Sequence, residues 1–301
     1  MRILFVTSNR VGDAVLSTGL LDHLLRTHPE ARFTVACGPA AEGVFLRMPR
    51  LERLILMEKR PYGRHWLPLW AAGVGKLWDL VVDLRASALA WLVPARRRTV
   101  LRPRAALRTR HKIEQLATLF GLHPAPLPVA WTSDADRALA ATLLPPGPPI
   151  VALGPTANWR GKIWPAENFA ALFAAVAAGP LAGARAAVFC GPGGYERGLA
   201  EPVLAALPGA IDLAGRLSLP EASACLSRAA LFVGNDSGLM HLAAASGAPT
   251  LGLFGPTPSH EYAPAGARTA IAVSPSARME HLSVDAALRA AEFLVAVRRA
   301  A

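Results

Sequence analysis

Leu231-Phe232-Val233-Gly234-Asn235-Asp236-Ser237-Gly238-Leu239-Met240-His241 is an apolar run of strand length that passes directly into small polar residues and then into a helical pattern. The stretch predicts a buried strand, a tight turn and a helix start. Outward from it the same rhythm recurs. Strand-like runs are Ile150–Leu153, Ala186–Cys190 and Thr250–Phe254, with helices expected over Ala166–Ala178, Glu196–Ala206, Pro220–Arg228, Gly238–Ala245 and Val284–Arg299. The first half has runs at Ile3–Thr7, Phe33–Cys37, Leu54–Met57, Leu80–Leu84 and Thr99–Leu101, with helical patterns such as Ala14–Thr27 and Lys112–Phe120. Short apolar strands alternating with helices predict an α/β protein with parallel sheets. Residues 145–149 hold four prolines in five positions, which neither a helix nor a sheet interior accepts. A linker is therefore expected over 144–149, between a first domain of residues 1–143 and a second of 150–301. Two Rossmann-like domains in tandem would face a central cleft with the carboxyl ends of their strands, where ligands of open α/β sheets bind.

The chain has 301 residues, 52% hydrophobic and 18% charged, which excludes a disordered or fibrous protein. Residues 1–143 carry 21 basic and 11 acidic side chains against 11 and 10 in the remainder, so the cationic excess belongs to the first half. Cys37, Cys190 and Cys225 stand far apart and suggest neither a disulfide framework nor a zinc site. The N-terminal apolar run is too short for a signal-peptide core, and Ala170 to Cys190, the most membrane-like window, is broken by Gly179-Pro180, Gly183 and Arg185. A reducing cytoplasm is the expected compartment.

The loops after strands carry the candidate chemistry. Asp13, just beyond Gly12 at the start of the first helix, either caps that helix or faces the cleft. The small residues from Gly234 to Gly238 leave backbone N–H groups unpaired at a helix start, an arrangement suited to a diphosphate or simply to a capping turn. His241 lies one helical turn beyond Ser237, where a packed histidine is the ordinary reading. Thr156, Asn158, Arg160 and Lys162 share one long loop ahead of Trp164-Pro165, and Lys162 is the only lysine of the second half.

The Gly12-Asp13 turn, the loop ending Lys162-Ile163-Trp164-Pro165, the turn Asn235-Asp236-Ser237-Gly238-Leu239-Met240-His241 and Leu253-Phe254-Gly255-Pro256-Thr257 together resemble the family 9 glycosyltransferases, the lipopolysaccharide heptosyltransferases among them. The resemblance implies a GT-B fold with acceptor on the N-terminal side and nucleotide-sugar on the C-terminal side, the last helix being free to pack back on the N-terminal domain. It implies an inverting transfer of heptose from ADP-heptose to a hydroxyl of an anionic glycolipid such as the lipopolysaccharide inner core. Asp13 matches the catalytic base and Lys162 the donor-contacting lysine, with Thr156, Asp236, Ser237, Gly238, Leu239 and His241 on the donor side. Glu196 is the candidate acid for the nucleotide ribose. No cofactor and no metal are implied. A non-catalytic nucleotide-binding or membrane-peripheral module and a family 9 transferase with another donor sugar remain as alternatives. A Rossmann dehydrogenase fits less well, since the first turn lacks GxGxxG and Cys37-Gly38-Pro39 stands where an acid would hold a ribose.

Two further signals concern partners. Asp134-Ala135-Asp136 has a metal-binding spacing, but after Ser133 it reads as a capped helix start. Eight basic residues between Arg96 and Lys112, including Arg97, Arg98, Arg102, Arg104 and Arg108, suggest a surface for an anionic acceptor or anionic membrane, free or peripheral on the inner face of the inner membrane. No nucleic-acid-binding motif accompanies them. Trp66, Trp70 and Trp78 read equally as an interfacial patch and as core.

Overall fold

Parallel strands build the sheets of both halves. The computed structural model describes residues 1–58, 66–102 and 109–300, the side chains of 68 and 297–300 excepted. It divides into two units, Met1–Trp131 and Thr132–Ala301. The first unit runs β1 (Arg2–Val6), α1 (Val11–Thr27), β2 (Arg32–Cys37), α2 (Glu42–Phe45), β3 (Leu51–Leu56), α3 (Trp66–Val74), β4 (Trp78–Asp83), α4 (Leu89–Leu92), β5 (Ala95–Val100) and α5 (Lys112–Ala117). Its sheet has the order β3-β2-β1-β4-β5. The central strand β1 is the apolar run Ile3 to Val6, fully buried as parallel strands covered on both faces must be.

The second unit runs α6 (Asp134–Leu143), β6 (Ile150–Gly154), α7 (Ala166–Ala178), β7 (Arg185–Val188), α8 (Gly194–Ala206), β8 (Ile211–Asp212), α9 (Leu219–Leu226), β9 (Leu231–Asn235), α10 (Gly238–Ala245), β10 (Thr250–Phe254), α11 (Ser259–Tyr262), β11 (Thr269–Val273) and α12 (Val284–Ala300). Its strand order is β11-β10-β9-β6-β7-β8. Val151, Leu153, Val188, Leu231, Val233 and Leu251 form its core with Trp164 and Phe169 from the loop and helix after β6. Helix α12 packs on α7 and on β10 and β11 within this unit.

The boundary between the units falls at Trp131 and Thr132 rather than in the proline stretch. Helix α6 belongs to the second unit because it lies against α9, buries Ala140 and ends where Arg228 Nε donates to the Leu144 carbonyl at 2.8 Å. Prolines stop a helix, but they do not stop its last turn from being anchored. The other departures have local causes. Strands β8 and β11 escape a search for apolar runs because the first has two residues and the second is a half-exposed edge. Strand β5 begins at Ala95 and includes Arg96, Arg97 and Arg98, the charged composition of an edge strand. Ala170 to Cys190 resolves into α7, a turn and β7, and among the described residues no helix is long and apolar enough to cross a membrane.

Candidate functional site

In the second unit β6 and β9 are neighbours, yet the chain leaves β6 toward β7 and leaves β9 toward β10. Their carboxyl-end loops therefore diverge and open a crevice at a topological switch point. Asn235, fully buried at the end of β9, ties the two loops together. Its Oδ1 accepts from Trp164 N at 3.1 Å and its Nδ2 donates to the Pro155 carbonyl at 2.8 Å. The next residue, Asp236, pairs through Oδ2 with Lys162 Nζ at 2.7 Å, the lysine being 21% exposed and the carboxylate 8%. A loop cation is thus held over the start of α10. There the Ser237 Oγ is buried with no hydrogen-bond partner among the described residues, and no side chain caps the helix.

Small residues make this approach possible. Gly154, Gly234 and Gly252 stand side by side across β6, β9 and β10. A Cβ on Gly154 would meet the Phe232 ring at 2.7 Å and Leu239 Cδ2 at 3.2 Å, and one on Gly234 would meet the same ring at 2.6 Å. Absent side chains let the first turn of α10 settle onto the strand ends. Leu239 is consequently packed against the end of β6, and His241 is buried two residues further along α10. The loop after β7 adds a third wall. Glu196 in the first turn of α8 accepts through Oε2 from Thr156 Oγ1 at 2.7 Å and from Gly191 N at 2.9 Å.

The first unit repeats the topology at β1 and β4 with different side chains. Asp13 sits half-buried in the first turn of α1, where Ser8 Oγ donates to its Oδ2 at 3.3 Å, and no ion pair engages it among the described residues. Gly38, after β2, lets the neighbouring loop touch this one, since a Cβ there would lie 2.6 Å from Asn9 Cα. At the end of β4 the fully buried Asp83 accepts from Arg85 N at 2.8 Å and Ser87 N at 2.9 Å, and from Ser87 Oγ at 2.5 Å. The loop so folded extends Arg85 to Asn9, with Nη1 to Oδ1 at 3.0 Å.

A sequence model of glycosyltransferase family 9 (heptosyltransferase) matches residues 83–289, more than half of the chain. The chain belongs to this family. A stretch of 54 residues is 46% identical to lipooligosaccharide heptosyltransferase 2 of Haemophilus influenzae, covering 18% of this chain and only 15% of that protein's length. Among solved structures, a glycosyl transferase family 9 protein from Veillonella parvula aligns with TM-score 0.80 at 21% identity over 98% of this chain and 97% of its own. The ADP-heptose lipopolysaccharide heptosyltransferase II of E. coli aligns with TM-score 0.78 at 20% identity over 99% of this chain and 100% of its own. These likenesses show the fold, a GT-B pair of parallel-sheet α/β units.

In this family 9 glycosyltransferase, Lys162, Asp236, Ser237, Gly238 and Leu239 come together at one switch point, and Thr156 is joined to Glu196. Asp13 lies in the other unit and outside the matched segment. Asn235 and Asp83, which tie these loops, were not among the expected site residues. Their signal is a polar residue ending an apolar strand at a switch point. The cationic stretch is less uniform than its composition suggests. Arg96, Arg97 and Arg102 are exposed, whereas Arg98 donates to the carbonyls of Ala90, Val93 and Ala95 and is a structural tie. Arg104 and Arg108 lie outside the described residues. Trp78 is core at 2% exposure, while Trp70 is exposed. Asp134 and Asp136 open α6, where Asp136 and Ser133 form a capping box and Asp134 pairs with Arg137. Burial pushes the thiols of Cys37 up to about 12 and of Cys190 and Cys225 up to about 11, which leaves them inert at neutral pH.

Proposed function

We propose that this family 9 glycosyltransferase moves heptose, with inversion, from ADP-heptose to a hydroxyl of an anionic glycolipid such as the lipopolysaccharide inner core. The observation that supports this most is the Lys162–Asp236 pair beside the uncapped start of α10. A diphosphate needs fixed positive potential where charge develops as it leaves, and a lysine with helix N-terminal N–H groups supplies it. Asp236 is an anion and would repel a diphosphate. Its part is to position the lysine, which keeps one carboxylate partner while its remaining N–H groups turn to phosphate. Glu196, with Oε2 occupied by Thr156 and Gly191, presents Oε1 to a ribose hydroxyl.

On the acceptor side Asp13 is the base. Its carboxylate takes the proton of the acceptor hydroxyl as that oxygen attacks the anomeric carbon from the face opposite the diphosphate. The new glycosidic bond forms as the bond to the diphosphate breaks, so the anomeric configuration inverts. ADP leaves with its charge against Lys162 and the α10 N–H groups, and the proton stays on Asp13 until solvent removes it. The reading places the protein in the cytoplasm, with Arg96, Arg97 and Arg102 turned to an anionic membrane or acceptor.

The test is a donor panel. ADP-heptose, UDP-glucose and GDP-mannose are each incubated with the enzyme and a Kdo-bearing glycolipid, and nucleoside diphosphate release and the mass of the product are followed. ADP release with a heptose mass increment is expected. Turnover with another donor and none with ADP-heptose would replace the sugar assignment.

A further inference from the structure

Unit 1 contains a cavity of about 590 Å3 that the mechanism above does not use. Its volume falls within the roughly 300–1,000 Å3 typical of small-molecule sites. Trp66, Leu67, Trp70, Leu89 and Leu92, from α3 and α4, make its walls. Leu67 is 58% exposed, Trp70 41% and Leu92 59%. Large apolar side chains gathered at one opening, where water covers them at a cost, mark a binding surface. The walls are held in place. Trp70 Nε1 donates to the Leu92 carbonyl at 3.2 Å, which joins α3 to α4, and the Arg85 guanidinium lies 5.1 Å from the Trp66 ring centroid. Among the described residues the cavity has one charged residue on its lining, Arg85, with the Ser87 hydroxyl beside it.

An apolar chamber with one cation at its lip matches a ligand that is a hydrocarbon chain carrying an anionic group. A sugar or nucleotide would lose its hydration inside without gaining polar partners. Exposed Arg96 and Arg97 on β5 add positive charge to the same unit, whose sequence carries the cationic excess. The hydrogen bond from Arg85 to Asn9 places the lip next to the loop after β1, at a residue four positions ahead of Asp13. We propose that this pocket binds one hydrocarbon chain of the anionic glycolipid acceptor, with Arg85 on the anionic group. The inference rests on the glycolipid half of the function proposed above and adds a lipid-recognising site to it.

Hexyl, octyl and decyl phosphate below their micellar concentrations serve as probes, read by tryptophan fluorescence and calorimetry on the full chain. Each two-carbon extension should tighten binding by about fifteenfold until the chain fills the pocket, since a buried methylene contributes ~0.8 kcal/mol. Inorganic phosphate should not compete at comparable concentration. Ala88→Phe fills the chamber from an exposed lining position and should weaken decyl phosphate at least tenfold. Leu67→Ser, also at an exposed position, should weaken it less. In transfer assays Ala88→Phe should raise KM for the acylated acceptor about tenfold, with ADP affinity and KM for the deacylated acceptor unchanged. Wild-type-like decyl phosphate binding by Ala88→Phe, or affinity independent of chain length, overturns the pocket. Lost binding with an unchanged KM for the acylated acceptor overturns the acceptor as occupant in favour of bulk membrane lipid. Transfer to the deacylated acceptor by the wild type reports on the proposed function alone, so the two failures are separable.

Discussion

The two switch points share one topology and hold their charges in opposite ways. At β6 and β9 the cation Lys162 is paired with Asp236 at 2.7 Å, and buried Asn235 at the end of β9 bonds both ends of the loop after β6. At β1 and β4 the half-buried carboxylate of Asp13 has, among the described residues, a single 3.3 Å hydrogen bond from Ser8, and the buried tie, Asp83, serves the neighbouring loop instead. In the proposed mechanism the group that takes up a proton is the lightly held one. The group proposed to present fixed charge is the tightly held one, so that little reorganisation would accompany that step. The parallel-sheet scaffold is common to both; the side chains at its strand ends divide the labour.

The largest effect should come from the lightly held side. Asp13→Asn preserves shape and removes the proposed base, so transfer should fall by ~10²–10⁴-fold while ADP affinity stays within about threefold of wild type, as the donor site proposed in the other unit requires. Steady-state rates with calorimetry of ADP binding check both halves. Turnover near wild type would erase the contrast between the two switch points.

The tightly held side should respond in two separable ways. Lys162→Met should weaken nucleotide-sugar binding roughly ten- to a hundred-fold, the ~1.5–3 kcal/mol of a charge-assisted contact. It also strands the 8% exposed Asp236, costing on the order of 1–3 kcal/mol of stability, less than in a fully buried pair because Lys162 is 21% exposed. Adding Asp236→Asn should restore the melting temperature and leave donor affinity low. If the double variant recovered affinity as well, Lys162 would be a structural partner and nothing more.

The smallest effect concerns acid stability and sharpens the contrast away from the sites. In unit 2 the carboxyl of Asp212 is held below its ordinary value, first by the hydrogen bond from Arg197 and then by the Ala214 N–H. In unit 1 Asp79 is held low first by the Arg2 backbone N–H, with Arg96 a lesser cause. A carboxyl depressed in the folded state adds stability above its unfolded pKa and loses it as pH falls through the folded value, a window below about pH 4. Arg197→Gln should therefore flatten the acid limb of stability against pH visibly more than Arg96→Gln does. Equal flattening in melting curves between pH 2 and 7 would contradict the assigned causes.

The alternation of apolar runs with helical segments determined the α/β class and the parallel sheets, because a strand buried on both faces has to be apolar along its length. It determined the turn at Asn235 to Gly238 as a helix start, and Ser133 ahead of Asp134 as a cap, because capping chemistry is local. Tertiary structure alone decided the boundary at Trp131, since contact between α6 and α9 joins segments some eighty residues apart. It alone joined Lys162 to Asp236, Thr156 to Glu196 and Arg85 to Asn9, each pair brought together by strand order rather than by spacing along the chain. It also took Arg98 out of the free basic surface, because a guanidinium that donates to three carbonyls is fixed by its neighbours whatever the local composition suggests. Periodicity reports how each segment meets water; only the order in which strands pair decides which loop ends meet one another.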